Sequence, residues 1–325
     1  MKVLIVCSGN PEKGISPLVK SQVDSFESFN DVEFVIFPIE KHGLIGYLSV
    51  VPELHKKAGK YKPDIIHAHY GLSGFITFLS RLRCKSIISF MGDDLLGSIG
   101  KHNRYTVFSK ILVLINKMLA RYYFDFSIVK SEELFRILKK SENIMILPNG
   151  VDIERFAPFQ KIDCRTKLGI NKDDKIVLFV SDPSRPEKNY ALAEKAIALL
   201  KKDEVKLISV YSLDQNKLVY YYNSADVLLM TSFHEGSPNV IKEAMASCCP
   251  IVTTKVGDVS YVLGNTPGCY IVDPDPESVS QGILKAINFR NLFFFTNGRE
   301  RVIELKLDSF SVAGKLREIY CNIAG

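Results

Sequence analysis

The chain has 325 residues, 46% of them hydrophobic and 24% charged, with 42 Lys and Arg against 36 Asp and Glu. That balance excludes a disordered or fibrous chain, and the length suits about two domains of ~150 residues, enough to bury a core without disulfides or a structural metal. The positive excess is mild, 20 basic against 16 acidic side chains up to Glu154 and 22 against 20 beyond it, too little to argue for nucleic acid but compatible with an anionic substrate or membrane surface.

The chain opens on a strand at residues 2–7, whose apolar stretch from Val3 to Val6 is shorter than the ~7–15 residues of a signal-peptide core. Further strands are predicted at 32–37, 65–68, 86–90, 126–129 and 144–147, with helical stretches at 18–29, 44–57, 72–83 and 107–123 between them. In the second half, strands at 175–180, 206–210, 227–230, 251–254 and 269–272 alternate with helices at 190–201, 216–222, 239–247 and 276–288. Short β-rich runs alternating with helical patterns are the mark of βαβ units, and two such sets imply two parallel sheets. The expected fold class is therefore α/β, two Rossmann-like parallel-sheet domains facing a cleft. The join is placed at LPNGVDIERFAP (residues 147–158), where Asn149–Gly150 supplies a turn and Pro158 with the polar segment after it marks a linker. Ligands of parallel sheets bind beyond the carboxyl ends of the strands, so the chemistry is expected in the cleft.

No run of ~18 apolar residues is present to span a bilayer. Seven cysteines, odd in number and without C-x-x-C spacing, point to a reduced cytoplasmic compartment with neither a disulfide framework nor a zinc site. Cys248 and Cys249 read as small packing residues.

The most informative segment is HEGSPNVIKEAMASCCPIV (residues 234–252), which follows a strand and opens a helix. Ser237 suits the N-cap and Pro238 the first helical position. The N–H groups of Asn239 and Val240 would then point out of the helix end, where the dipole favours an anion such as a diphosphate. Glu235 and Glu243 would stand roughly 8–12 Å apart at ~1.5 Å rise per residue, wider than the ~5–5.5 Å of a retaining glycosidase's carboxylates. The spacing suits two acids gripping opposite ends of an extended ligand. An isolated pair of this kind is commonly two surface acids; the Gly236-Ser-Pro-Asn turn between strand and helix is what singles this one out.

This segment resembles the E-x7-E signature of retaining glycosyltransferases of family 4, which have the two-domain GT-B fold. Other landmarks fall in the expected order: KVLIVCSGNPEKGI at the start, DIIHAHYG (64–71), SFMGDD (89–94), LPNGVDIERFAP, SDPSRPEKN (181–189), YYNSADVLLMTSFHEGSPNVIKEAMA (221–246) and GDVSYVL from Gly257. The resemblance covers essentially the whole chain, strongest over residues 175–275. It implies an acceptor-side domain at 1–155, a nucleotide-sugar domain at 156–310, and a C-terminal helix (307–325) crossing back to the first domain.

By resemblance, Glu235 contacts sugar hydroxyls on the reactive face, Glu243 binds the nucleotide ribose, and Lys188 neutralises the departing diphosphate. Charge accumulates on that group in the transition state, so a cation there makes chemical sense. The family's arginine partner usually stands five residues before the lysine; Pro183 is there instead, and Arg185 is taken as its replacement. Gly236, Ser237, Asn239 and Val240 join the donor site, as does Gly14 in the loop after the first strand, with Gly9 as the other candidate. Met91 stands where the family usually has histidine, leaving Asp93 and Asp94 to hold acceptor or sugar, unless they cap a helix. His69 is expected to line the cleft and His67 to be structural, the two side chains pointing to opposite faces of their strand. Asp273-Pro-Asp275 mimics a D-x-D metal motif but sits where a helix begins, so capping is expected.

No G-x-G-x-x-G or P-loop pattern occurs. That argues against dinucleotide dehydrogenases and P-loop enzymes, while the resemblance implies metal-independent transfer of a hexosyl unit from a nucleotide diphosphate sugar to a hydroxyl, with retention, without a covalent enzyme intermediate, and without a resident cofactor. Cell-surface polysaccharide or glycolipid assembly is the implied setting, with a carbohydrate or lipid-linked acceptor and no nucleic-acid partner. Two rivals are a nucleotide-sugar epimerase on the same architecture and a catalytically inactive partner subunit. Residues 105–124, apolar and accompanied by Arg104, Lys110, Lys117 and Arg121, suit either an anionic membrane surface or packing on their own sheet.

Overall fold

The computed structural model describes residues 1–10, 14–97, 106–138, 143–201 and 204–325. They form two compact units. One holds the described residues up to Gly150 together with Ser309–Gly325, and the other spans Val151–Asp308.

Among the described residues the first unit has seven strands: β1 (Lys2–Asn10), β2 (Gly14–Ile15), β3 (Glu33–Ile39), β4 (Ile65–His69), β5 (Lys85–Ser89), β6 (Phe126–Val129) and β7 (Ile144–Ile146). β3, β1, β4, β5, β6 and β7 lie side by side in parallel, and β2 pairs antiparallel with the last two residues of β1. The central strands β1, β4, β5 and β6 are buried on both faces through most of their length, whereas β3 and β7 at the edges are partly exposed. Val3, Ile5, Ile65, Ile87 and Ile128 pack on the helices Pro17–Asp24 and Ser309–Ala324. On the opposite face Leu4, Val6, Ile66, Ala68 and Ile88 meet the helices Val51–Tyr61, Gly71–Leu79 and Val107–Tyr122.

The second unit is a five-stranded parallel sheet of β8 (Lys175–Phe179), β9 (Val205–Ser209), β10 (Val227–Met230), β11 (Ile251–Thr254) and β12 (Cys269–Val272), in the order β12-β11-β10-β8-β9. One face carries the helices Gln215–Ser224 and Asn239–Ala246, the other Tyr190–Leu200 and Pro276–Phe293. Asp275 caps the last of these by accepting from Ser278 N at 2.8 Å, as expected of the D-P-D turn. Cys248 and Cys249 are buried packing residues without disulfides.

Two readings change. The polar segment after Pro158 is not a linker: Lys161–Leu168 is a helix of the second unit. Its Arg165, itself buried, donates to Asp226 Oδ2 at 2.8 Å and to Ser224 O at 3.0 Å, while Lys161 also pairs with Asp226. The predicted helix 44–57 is two helices, Gly43–Ser49 and Val51–Tyr61, because Pro52 lacks the N–H that would continue the first.

Candidate functional site

The site in the second unit is assembled from the loops after β8 and β10. After β8 the chain makes a short 3-10 turn, Pro186–Lys188, and leaves it at Asn189 in the left-handed region (φ 52°). After β10, Thr231 Oγ1 donates to the carbonyls of Lys188 (3.1 Å) and Asn189 (2.9 Å), and Phe233 N donates to Glu187 O at 2.9 Å. These bonds fix one loop against the other. Lys188 Nζ consequently donates to Glu235 Oε1 at 2.5 Å, and the same oxygen accepts from Ser232 Oγ at 2.8 Å. Both charged side chains keep limited exposure, 18% and 16%, so the pair borders solvent.

Lys188, Ser232 and Glu235 line a pocket of about 90 Å³ with Ser181, Asn239 and Val240. The opening of the Asn239–Ala246 helix thus joins the cation and the acid at one place. The helix begins one residue later than expected. Pro238 is its N-cap, with an extended ψ of 120°, rather than its first turn. Ser237 therefore does not cap: its hydroxyl accepts from the buried Lys242 ammonium at 3.1 Å. Burial pushes Lys242 down to about 8, partly offset by the charges of Asp258 and Glu243.

Glu243 lies in the second turn of this helix, 8% exposed, and Oε2 accepts from Tyr222 Oη at 2.7 Å. Burial raises its carboxyl, while the Tyr222 bond and the charges of Lys242 and Arg155 pull it back. It is not among the residues that line the 90 Å³ pocket. Neither is Arg185, whose half-exposed side chain pairs with Glu187.

Tyr222, Lys242 and Gly257 were not singled out by the sequence. Gly257 has a φ of 50°, and a Cβ there would stand 2.3 Å from Gly236 O and 2.8 Å from Glu235 O. Only glycine lets the backbone come this close to the turn that carries Glu235.

The remaining candidates belong to the first unit. Gly14 lies in β2 with φ 72° and open space where a Cβ would sit. Asp93 and Asp94 open the short helix Asp93–Leu96, whose N-cap is Gly92. The Asp94 carboxylate accepts from Met91 N (3.1 Å), Gly92 N (2.9 Å) and Gly71 N (3.2 Å), and burial pushes it up to about 6 against those bonds. His67 is structural: one ring nitrogen meets Tyr320 Oη at 2.7 Å and the other Ser89 Oγ at 2.9 Å. His69 does not point to the opposite face. Residues two apart on a strand share a face, and the two rings lie 4.3 Å apart. Burial and the Lys130 charge push His69 down to about 3. Among the described residues no group of three His, Cys, Asp or Glu side chains is arranged to hold a metal.

Two parallel α/β sheets, with a cation, an acid and a helix opening beyond the carboxyl ends of β8 and β10, have the architecture of GT-B enzymes. Residues 3–155 match the model of Glycosyltransferase Family 4 and residues 209–288 that of Glycosyl transferases group 1. The chain belongs to this group of family 4 glycosyltransferases. It is 24% identical over 323 residues to an uncharacterized glycosyltransferase of Methanocaldococcus jannaschii, covering 86% of this chain and 82% of that protein. It is also 24% identical over 263 residues to the putative teichuronic acid biosynthesis glycosyltransferase TuaC of Bacillus subtilis, covering 73% of this chain and 64% of TuaC, just under two thirds of its length. In fold it is similar to sucrose-phosphate synthase of Thermosynechococcus elongatus (TM-score 0.82, 17% identity, 99% of this chain and 98% of the other). Anabaena HepE, solved with UDP and glucose, has a TM-score of 0.74 at 15% identity, covering 99% and 100%.

Proposed function

We propose that the chain moves a hexosyl unit from a nucleotide diphosphate sugar to a hydroxyl with retention, needing no metal, in the assembly of a cell-surface polysaccharide or glycolipid. The observation that carries this reading is the Lys188–Glu235 pair at 2.5 Å beside the opening of the Asn239–Ala246 helix. An incoming diphosphate replaces Glu235 as the partner of Lys188 and takes the N–H groups of Asn239 and Val240 as further donors. Glu235, released, accepts from sugar hydroxyls. Glu243 offers a ribose hydroxyl the carboxylate oxygen that Tyr222 does not use.

In the transfer the bond from the anomeric carbon to the diphosphate oxygen breaks and a bond to the acceptor oxygen forms on the same face. The acceptor's proton leaves with the diphosphate. Lys188 supplies the positive charge that the departing group needs, and being fixed by the Thr231 bonds it does so with little reorganisation. Arg185 can add to this only by exchanging Glu187 for phosphate. The relatives' names, a teichuronic acid glycosyltransferase and an undecaprenol-linked galactosyltransferase of Escherichia coli, support the polysaccharide or glycolipid setting. Peripheral contact with an anionic membrane through the Val107–Tyr122 helix completes the reading; no helix among the described residues is long and apolar enough to cross a membrane.

Product analysis by proton NMR, with EDTA present, tests the chemistry. A product of the donor's anomeric configuration formed at full rate is expected. Inversion, or activity that returns only with a divalent cation, overturns the respective part.

A further inference from the structure

Two features of the first unit take no part in the site described above. One is the solvent face of the Val107–Tyr122 helix. At about 100° per residue, Phe108, Ile111, Leu114, Met118 and Tyr122 fall on a single stripe, and each is between 52% and 73% exposed. Lys110, Lys117 and Arg121 run along one margin of that stripe, and no acidic residue occurs from Val107 to Tyr122. Apolar side chains bordered by cations are the composition of a surface that lies on anionic lipid.

The other is a pocket of about 390 Å³ lined by His55, Lys62, Arg81, Arg83, Leu82 and Cys84, within the roughly 300–1,000 Å³ of small-molecule sites. It lies where the chain enters β4 and β5, at the end of the sheet away from the strands' carboxyl termini. Among the described residues no carboxylate pairs with Lys62, Arg81 or Arg83, whereas Arg155, Arg165, Arg299, Arg301 and Arg317 each have an acidic partner. The two acids whose charge reaches Cys84 are engaged elsewhere: Asp64 accepts from Lys2 N at 2.7 Å, and Asp125 accepts from Ser86 N at 2.8 Å and pairs with Lys85.

Tyr123 connects the end of the stripe's helix to the pocket, where Cys84 of the lining is among the groups whose charge reaches its hydroxyl. Tyr123, the residue after the helix, packs edge-on against Phe78 with ring centroids 5.0 Å apart and donates to Thr77 O at 3.3 Å. Arg81 and Arg83 follow Phe78 by three and five residues.

We propose that this pocket is a headgroup site: the phosphate of an anionic phospholipid sits among Lys62, Arg81 and Arg83 while the neighbouring stripe lies at the acyl boundary. A free phosphate would use the cations and leave the apolar stripe in water; a lipid uses both. The inference rests on the membrane contact proposed above and adds to it a specific lipid site, lined by first-unit residues that the transfer chemistry does not use.

Two measurements test it. Titration calorimetry follows binding of dihexanoyl phosphatidylglycerol, below its micelle concentration, and of inorganic phosphate. Flotation follows partitioning to phosphatidylcholine vesicles with and without phosphatidylglycerol. Arg81→Gln/Arg83→Gln should abolish saturable binding of the short-chain lipid and weaken partitioning to anionic vesicles by roughly thirty-fold or more. Lys110→Gln/Lys117→Gln, a matched loss of charge outside the pocket, should keep the short-chain lipid. Met118→Glu should reduce flotation alone, and melting curves check that each variant folds. Inorganic phosphate binding as tightly as the lipid would make this a soluble-anion site and overturn the proposal. Flotation that responds to Met118→Glu but not to the arginine pair would keep the membrane contact and overturn the pocket. Wild-type protein that stays with the soluble fraction would overturn both.

Discussion

The two sheets place polar groups beyond their strands in opposite ways. In the first unit the conspicuous candidates are consumed by the fold: Asp94 takes three backbone N–H groups, and His67 is held on both nitrogens. In the second unit Lys188 and Glu235 hold each other at the border of a pocket, where a ligand can separate them. Polar side chains thus serve architecture in one place and, in the proposed reading, chemistry in the other. What separates the roles is whether the partners are locked in the core or include a side chain at a pocket's border that an incoming anion can displace.

The sharpest way to break this comparison is Glu235→Ala. Transfer should fall by about a thousand-fold or more, with the melting temperature little changed, as measured by initial rates and calorimetry. Unaltered turnover would remove Glu235 from the reaction, and a wild type without transferase activity would return the chain to the inactive-partner reading.

Asp94 gives the next largest effect, on stability rather than rate. Its carboxyl rises from the ordinary 3.8 to about 6 in the folded protein, so the folded state binds the proton more tightly than the unfolded one. Stability is therefore fully present below pH ~4 and declines as pH rises through ~6, by about 3 kcal/mol from this group. Denaturant unfolding at a series of pH values should show that decline in the wild type and a flatter profile in Asp94→Asn. Equal slopes would mean that the backbone N–H groups hold the carboxylate better than burial opposes it.

Gly257→Ala pushes a methyl group into the Glu235–Gly236 backbone. A shift of ~1 Å in a reacting group can cost about a hundred-fold in rate, so kcat should drop while nucleotide affinity, read by calorimetry, changes far less. Tyr222→Phe is the mildest. Removing the donor to Glu243 should raise the donor KM by about five-fold, worth ~1 kcal/mol, and leave kcat nearly intact. A change in kcat alone would place Glu243 closer to the reacting carbon.

Much of the fold was legible in the sequence. The strands at 126–129, 227–230, 251–254 and 269–272 coincide with β6, β10, β11 and β12 to the residue. These are short runs rich in β-branched and aromatic residues, a local pattern that needs no knowledge of its neighbours. The Lys161–Leu168 helix escaped because KIDCRTKL has no apolar face to betray it; it is tied down by Asp226, some sixty residues away. His67 and His69 were assigned to opposite faces although the strand's two-residue period puts them on one. Within the site, the family signature drew attention to Lys188, Glu235, Asn239 and Val240, which the fold brings together. It ran through Tyr222 and Gly257 without giving either a role, because their contacts reach residues 21 and more positions distant, which no local spacing encodes.

The most direct test of the central claim is a titration of UDP, GDP, ADP and their hexose conjugates, without metal, against wild type and Lys188→Ala. Saturation at ~100 times the dissociation constant should add about 2.7 kcal/mol of stability, seen as a raised Tm with one nucleotide series. That shift should largely disappear in Lys188→Ala, because the diphosphate loses its cation. A shift of full size in the variant, or none with any nucleotide in the wild type, would contradict the claim that the Lys188–Glu235 pair opens to receive the donor.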